Sequence, residues 1–313
     1  MRIILILFLL IALGAAFWWW RGASRGPTMT DPLAIAEFRA RYAEPPSPRR
    51  PGAVYHLGHS LVGRDMPAML SQLMGNRYNS QLGWGATLDQ HWRNDVPGFD
   101  VENRPPAFRA AREAVGSGEY DAIVFTEMVE LKDAIRYHDS ARALADWAGL
   151  ARASRPDARL YLYETWHRLD DAAGWLQRLD SDLETLWIDQ VLRPAMTRPE
   201  VGTIYVIPAG QVMAELVRRI EAGEVPGLTR REDLFGLNAD GTQDPIHIND
   251  IGAYVVALTH FAVLSGETPV GLPHELRRAD GTMAKALSAD AAGIIQQVVW
   301  EVVRGFPMSG LAQ

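Results

Sequence analysis

From Ala53 onward, short apolar runs alternate with longer amphipathic stretches, and this alternation limits the fold more than any other feature of the chain. Residues 53–57, 122–125, 160–163 and 203–207 are apolar and rich in β-branched or aromatic side chains, and each is followed by a stretch with helical periodicity. Strands that are apolar on both faces need cover on both, and a helix between successive strands returns the chain to run parallel. The pattern therefore predicts a three-layer α/β/α sandwich around a parallel sheet. Helices are expected over 67–74, 140–153, 172–193, 211–222, 251–264 and 288–303. A chain of 313 residues with 48% hydrophobic residues can bury such a core.

The N-terminus has a different character. Residues 3–20 carry no charge, Arg2 and Arg21 flank them, and the run closes on Trp18, Trp19 and Trp20. At about 1.5 Å per residue an eighteen-residue helix spans roughly 27 Å, near the thickness of a thin bilayer core, and Trp belongs at the headgroup level. Residues 1–22 are expected to be a transmembrane anchor. A cleaved signal segment is the alternative, with Gly14, Ala15 and Ala16 near the cleavage point; bulky Phe17 and the three Trp directly after them favour the anchor. Arg2 is balanced by Arg21 and Arg25, so orientation rests on the default of a short N-terminal tail inside and an extracytoplasmic domain. If the segment is cleaved, the protein is secreted. Residues 23–52, with Pro45, Pro46, Pro48 and Pro51, read as a linker that forms a stalk or a strap over the domain of residues 53–313.

Composition excludes several functions. A net charge of -7 has the wrong sign for binding phosphate backbones, so nucleic acid is not an expected partner. The absence of Cys removes disulfides, thiolate metal sites and a Cys nucleophile together.

Two motifs carry chemistry. Ser60 follows the first strand in the run His56, Leu57, Gly58, His59, Ser60, Leu61, at the carboxyl end of a parallel strand, where open α/β sheets place their sites. Gly58 is expected to ease a tight turn there, and Ser60 alone would equally serve as a helix N-cap. Late in the chain, Asp244 and His247 stand three residues apart before a predicted helix. That spacing lets the carboxylate reach Nδ1 and leaves Nε2 free to take a proton from a serine on another loop. A metal pair would need a third ligand, and no such spacing is present.

These residues resemble the blocks of the SGNH, or GDSL, hydrolase superfamily over roughly residues 53–266. Gly58-His59-Ser60-Leu61 resembles its first block, with His59 in place of the usual Asp, and Asp244-Pro245-Ile246-His247 resembles its last. Gly83-Trp84-Gly85-Ala86-Thr87-Leu88, ending at His91 and Trp92, resembles the second block, whose glycine amide lines an oxyanion hole; Gly85 is the residue expected there. The resemblance implies a flavodoxin-like sheet, no cofactor, and hydrolysis or transfer of an acyl ester with Ser60 as nucleophile, His247 as base and Asp244 as its orienter. The third block departs from the pattern: where the family carries an Asn, the chain reads Thr126, Glu127, Met128, Val129, Glu130. An ionised Glu only accepts hydrogen bonds. The oxyanion hole is therefore expected to use the amides of Ser60 and Gly85, with Thr126 as a further hydroxyl donor. Glu127 is expected to turn away from it at an exposed sheet edge, paired with a cation or a hydroxyl.

Trp84, His59, Glu127 and Trp166 are expected to bind substrate, with His91, Trp92, Glu164, Thr165 and His167 as further pocket walls, although Trp of this kind also packs cores. Aromatic faces with polar edges suit a sugar better than a long acyl chain. Asp170, Asp171, Asp180 and Asp182 read as a solvated helix face. Three functions fit: an esterase removing a small acyl group, acetyl first, from a carbohydrate; a polysaccharide O-acetyltransferase on the same three residues; and a non-catalytic carbohydrate-binding or scaffold protein, which the missing Asn favours.

Overall fold

Side chains that alternate along each central strand divide the core into two apolar layers. In the computed structural model, which describes residues 31–311, β1 (Ala53–His59), β3 (Ala122–Phe125), β4 (Arg159–Glu164) and β5 (Ile204–Pro208) are buried along nearly their whole length. Val54, Val124, Tyr161 and Ile207 point into one layer, and Tyr55, Phe125, Leu160 and Val206 into the other. Such two-sided burial requires helices on both faces. With β2 (Arg77–Gly83), the five strands form a parallel sheet in the order β2-β1-β3-β4-β5. The expected sheet flanked by helices is therefore present.

On the Val54 face lie α2 (Asp65–Met74), α8 (Ala209–Glu221), α9 (Asp250–Ser265) and α10 (Ala289–Gly305). Helix α9 is buried on every side from Ile251 to Ser265, which explains why it lacks an amphipathic stripe. On the opposite face lie α1 (Ile35–Ala40), α4 (Ala111–Gly116) and α6 (Ser140–Ser154), with α3 (Leu88–Arg93) and α5 (Leu131–His138) toward the carboxyl edge of the strands. The helix expected over 172–193 begins later, as α7 (Trp175–Asp182), and continues as a π-helical segment, Leu183–Leu192.

Two strands depart from the sequence expectation. β2 is one of the sheet's two edge strands, and its first residues, Arg77, Tyr78 and Asn79, are not buried, so it needs no continuous apolar run; β5, the other edge, is covered and apolar. Asp244 and His247 lie on β7 (Gln243–Ile248), which pairs antiparallel with β6 (Phe235–Leu237) outside the main sheet.

The second half of the expected linker is a strap. Leu33 and Phe38 are buried in the core, the Tyr42 hydroxyl donates to the Ile204 carbonyl at 2.8 Å, and Arg50 forms a two-armed ion pair with Glu267 at 2.6 and 2.8 Å. The domain's packing thus begins about twenty residues before Ala53. The apolar run and the first part of the linker lie outside the described residues, and among the described residues no helix is long and apolar enough to cross a membrane.

Candidate active site

Ser60 is placed by what surrounds it in sequence. His59, Leu61 and Val62 are all buried, and the chain turns where the Val62 N–H donates to the His59 carbonyl at 2.9 Å. Held between two buried neighbours, the partly exposed Ser60 side chain faces outward. Gly58 is needed for a reason other than the expected turn: it lies within β1, and a Cβ there would overlap the methyl group of Thr126, the residue just after β3. The glycine lets the ends of β1 and β3 close up beneath Ser60.

Asp244 and His247 form a locally closed unit. One Asp244 oxygen, Oδ1, accepts the N–H groups of Ile246 and His247, each at 2.9 Å, and the other, Oδ2, lies 2.9 Å from His247 Nδ1. Partial burial pushes the Asp244 carboxyl upward, but the two backbone donors and the imidazole outweigh it and hold the pKa below its ordinary value. His247 Nε2 lies 3.0 Å from Ser60 Oγ, across 187 residues of sequence, and the imidazole is half exposed (49%). In the tautomer that donates Nδ1–H to Asp244, Nε2 accepts the serine hydroxyl. The structure thus brings the three expected residues into one hydrogen-bonded chain at the carboxyl edge of the sheet.

The β7 segment is held from behind by the loop after β4. The Trp166 indole N–H donates to the Ile246 carbonyl at 2.8 Å, and the Leu169 N–H donates to the Pro245 carbonyl at 2.8 Å. Asn249 caps α9 through the N–H groups of Ile251 and Gly252 and reaches back to the carbonyls of Asp233 and Phe235. The backbone on both sides of His247 is therefore fixed.

The loop after β2 supplies the other wall. Gly85 has φ +53°, a conformation that favours glycine, and neither its N–H nor that of Ser60 donates to another described residue. Thr87 and Gln90 form a reciprocal cap on α3 directly behind it. Trp84 is 56% exposed yet firmly held: its ring lies against Gly98, where a Cβ would overlap it, and its indole N–H donates to Glu102 at 2.9 Å.

Several expected site residues lie behind this surface. Trp166 is fully buried, as are His59 and Glu127, so of the four expected substrate-binding residues only Trp84 offers a face to a ligand. His59 Nε2 is 2.8 Å from the Glu127 carbonyl, and Nδ1 accepts the Leu61 N–H at 3.3 Å; burial pulls its pKa down to about 4, so the ring is neutral and braces the Ser60 turn. Thr126 is not free to act as a donor, because its buried hydroxyl is spent on the Tyr163 carbonyl at 2.8 Å. Glu127 lies in a dry interior, not at an exposed edge, and its partners are backbone N–H groups, not the expected cation or hydroxyl. Oε1 accepts the N–H groups of Leu88 and Met128 at 3.2 and 2.9 Å, and neither Oε2 nor the buried Ser140 hydroxyl has a hydrogen-bond partner among the described residues. Burial pushes this carboxyl up to about 7.

The further wall residues are structural. His91 is buried between Gln81 and the Gly58 carbonyl, Trp92 packs edge-on against Trp147, and Thr165 is buried. Glu164 sits on the start of α8, accepting from Gln211, and burial pushes it up to about 8. The acidic run is only partly solvated: Asp182 is buried with His167 at 3.2 Å and Arg178 at 2.6 Å, and Arg178 also pairs with Glu130 and Asp171. Sequence reasoning missed Glu102, Arg64 and Leu169, whose roles depend on loop packing that leaves no periodic signal. Among the described residues no group of three or more His, Asp or Glu is placed to hold a metal ion.

Comparison with protein-family models and with curated proteins finds no match. Among solved structures, the chain is similar to one from Parabacteroides merdae described as a "putative GDSL-like lipase", with a TM-score of 0.40 and 12% identity over 68% of this chain and 95% of that one. At that identity and score the likeness carries no argument about chemistry.

Proposed function

We propose that the chain is a serine ester hydrolase of the SGNH type that removes a small acyl group, acetyl first, from a carbohydrate. The observation that carries this reading is the hydrogen-bonded chain from Asp244 through His247 to Ser60, standing at the carboxyl edge of a sheet whose 2-1-3-4-5 order is the flavodoxin-like one. Ser60 Oγ attacks the ester carbonyl while His247 Nε2 takes its proton, and Asp244 holds the imidazole in register and stabilises its charge. The tetrahedral oxyanion is received by the amides of Ser60 and Gly85. Collapse expels the sugar hydroxyl, which takes the proton from His247, and leaves an acyl group on Ser60. Water, deprotonated by His247, then releases the carboxylic acid and restores the serine.

Trp84 supports a sugar as the alcohol part, since an immobilised, half-open indole offers a flat apolar face to a pyranose ring. Residues 1–22 would anchor the protein to a membrane with the domain of residues 53–313 and its strap outside the cytoplasm. Labelling with a fluorophosphonate probe tests the reading directly. The wild-type chain should be labelled covalently and Ser60→Ala should not; an unlabelled wild type would leave a non-catalytic binding protein.

A further inference from the structure

Past the turn that carries Ser60 lies a cavity of about 280 Å3, lined on that side by Gly63 and Arg64 and on another by Tyr78 and Ser80 of the edge strand β2. Glu102 joins it to the surface already described. Its Oε1 accepts the Trp84 indole N–H at 2.9 Å, its Oε2 lies 3.5 Å from the Arg64 guanidinium, and both Glu102 and Arg64 line the cavity. Strand register places the two features side by side. His59 pairs with Gly83, so Ser60 and Trp84, each one residue further on, leave neighbouring strands at the same level.

The cavity's chemistry is specific. The Tyr78 phenol, the Ser80 hydroxyl and the Arg104 guanidinium all line it, and none has a hydrogen-bond partner among the described residues. Ser80 is mostly buried (8% exposed), but its unpaired hydroxyl is open to a molecule in the cavity. Arg64 and Arg104 are offset by Glu102 and Asp280, so the walls favour no net charge. Planar donors and acceptors of both signs beside the rings of Tyr78 and Phe108 suit a neutral, hydroxyl-rich ring. At the low end of small-molecule sites, the volume holds one such ring.

We infer that this cavity is a second subsite, holding the neutral sugar next to the one whose ester lies at Ser60, so that the substrate is an oligosaccharide or polysaccharide chain. The inference rests on the esterase reading above. It is tested with the full chain in detergent, measuring acetate release from glucose, cellobiose and cellotriose that each carry a single O-acetyl group, with p-nitrophenyl acetate as a substrate too small to reach the cavity. In the wild type, kcat/KM should rise about tenfold from one ring to three, the effect of one or two net hydrogen bonds. Arg104→Ala, at an exposed position, should flatten the series toward the monosaccharide rate while p-nitrophenyl acetate turnover stays within about twofold. A flat series in the wild type, or an equal loss on every substrate in Arg104→Ala, overturns the subsite. Absence of p-nitrophenyl acetate turnover in the wild type would instead be a failure of the esterase reading.

Discussion

Trp84 and Ser60 stand at matching positions on adjacent strands, each one residue past the paired residues Gly83 and His59. A large exposed ring beside a serine that His247 hydrogen-bonds is a holding surface for whatever that serine attacks. Trp84→Ala should raise KM for acetylated sugars by roughly two- to tenfold, since an aromatic face contributes about 0.5–1.5 kcal/mol. Turnover of p-nitrophenyl acetate should be nearly unchanged, as initial rates on the two substrates will show. Equal losses on both would mean that the ring only shapes the Gly85 turn.

Ser60→Ala and His247→Ala should each abolish p-nitrophenyl acetate turnover, because one removes the attacking oxygen and the other its base. Asp244→Asn should leave a residue, with a loss on the order of 10⁴, since an amide at this position stabilises the wrong imidazole tautomer. Wild-type rates in Ser60→Ala would remove the proposed mechanism.

Thr126→Val separates packing from chemistry. The hydroxyl is committed to the Tyr163 carbonyl, so the variant should keep its rate within a few-fold and lose about 1 kcal/mol of stability, read from denaturant midpoints. Loss of a true oxyanion donor would cost about 10² to 10³ in kcat.

Trp166→Phe keeps the buried ring and deletes the donor to the Ile246 carbonyl. A small drift of the β7 backbone should lower kcat several-fold with KM unchanged, and slow fluorophosphonate labelling in proportion. A change confined to thermal stability would assign Trp166 a packing role alone.

The buried Glu127 carboxyl ties stability to pH with a definite sign. Folded, it keeps its proton up to about pH 7, against an ordinary value of 4.5. Between those values the folded chain holds a proton that the unfolded chain has released, so stability falls as pH rises through this window, and the loss is complete above it. Burial of Glu164 acts in the same direction up to about pH 8, while His59, His91 and His260, held neutral down to about pH 4, cost stability as pH falls below 6.5. The difference between Glu127→Gln and wild type isolates one group: the variant should gain on the order of 3 kcal/mol between pH 4.5 and 7, seen as a smaller drop in Tm. Parallel Tm curves would mean that Glu127 does not titrate in this range.

The central sheet was legible because its strands are apolar on both faces, and α9 and α10 because long apolar or amphipathic stretches leave little choice. Strand β2 was not, since an edge strand of Arg77, Tyr78, Asn79, Ser80 and Gln81 has no pattern to set it apart from a loop. Ser60, Asp244 and His247 could be singled out because each combines a reactive side chain with a local signal: a strand end, or a carboxylate three residues from an imidazole. Burial was misjudged for His59, Glu127 and Trp166. The helices and loops that enclose these residues come from distant parts of the chain, so nothing in their own neighbourhood reveals the dry interior in which they sit.

The 187-residue sequence separation of Ser60 and His247 gives the site a place in the order of folding. Asp244 and His247 are near neighbours, and their contact can form as soon as their segment turns. The contact with Ser60 requires β1 and the β6–β7 hairpin to dock on the same edge, which waits on the strands and crossovers between them. Partly folded chains, or chains cut before residue 247, would lack it altogether. Esterase activity would therefore report the assembled fold, and its recovery during refolding would follow the slowest long-range step, lagging behind the return of helix.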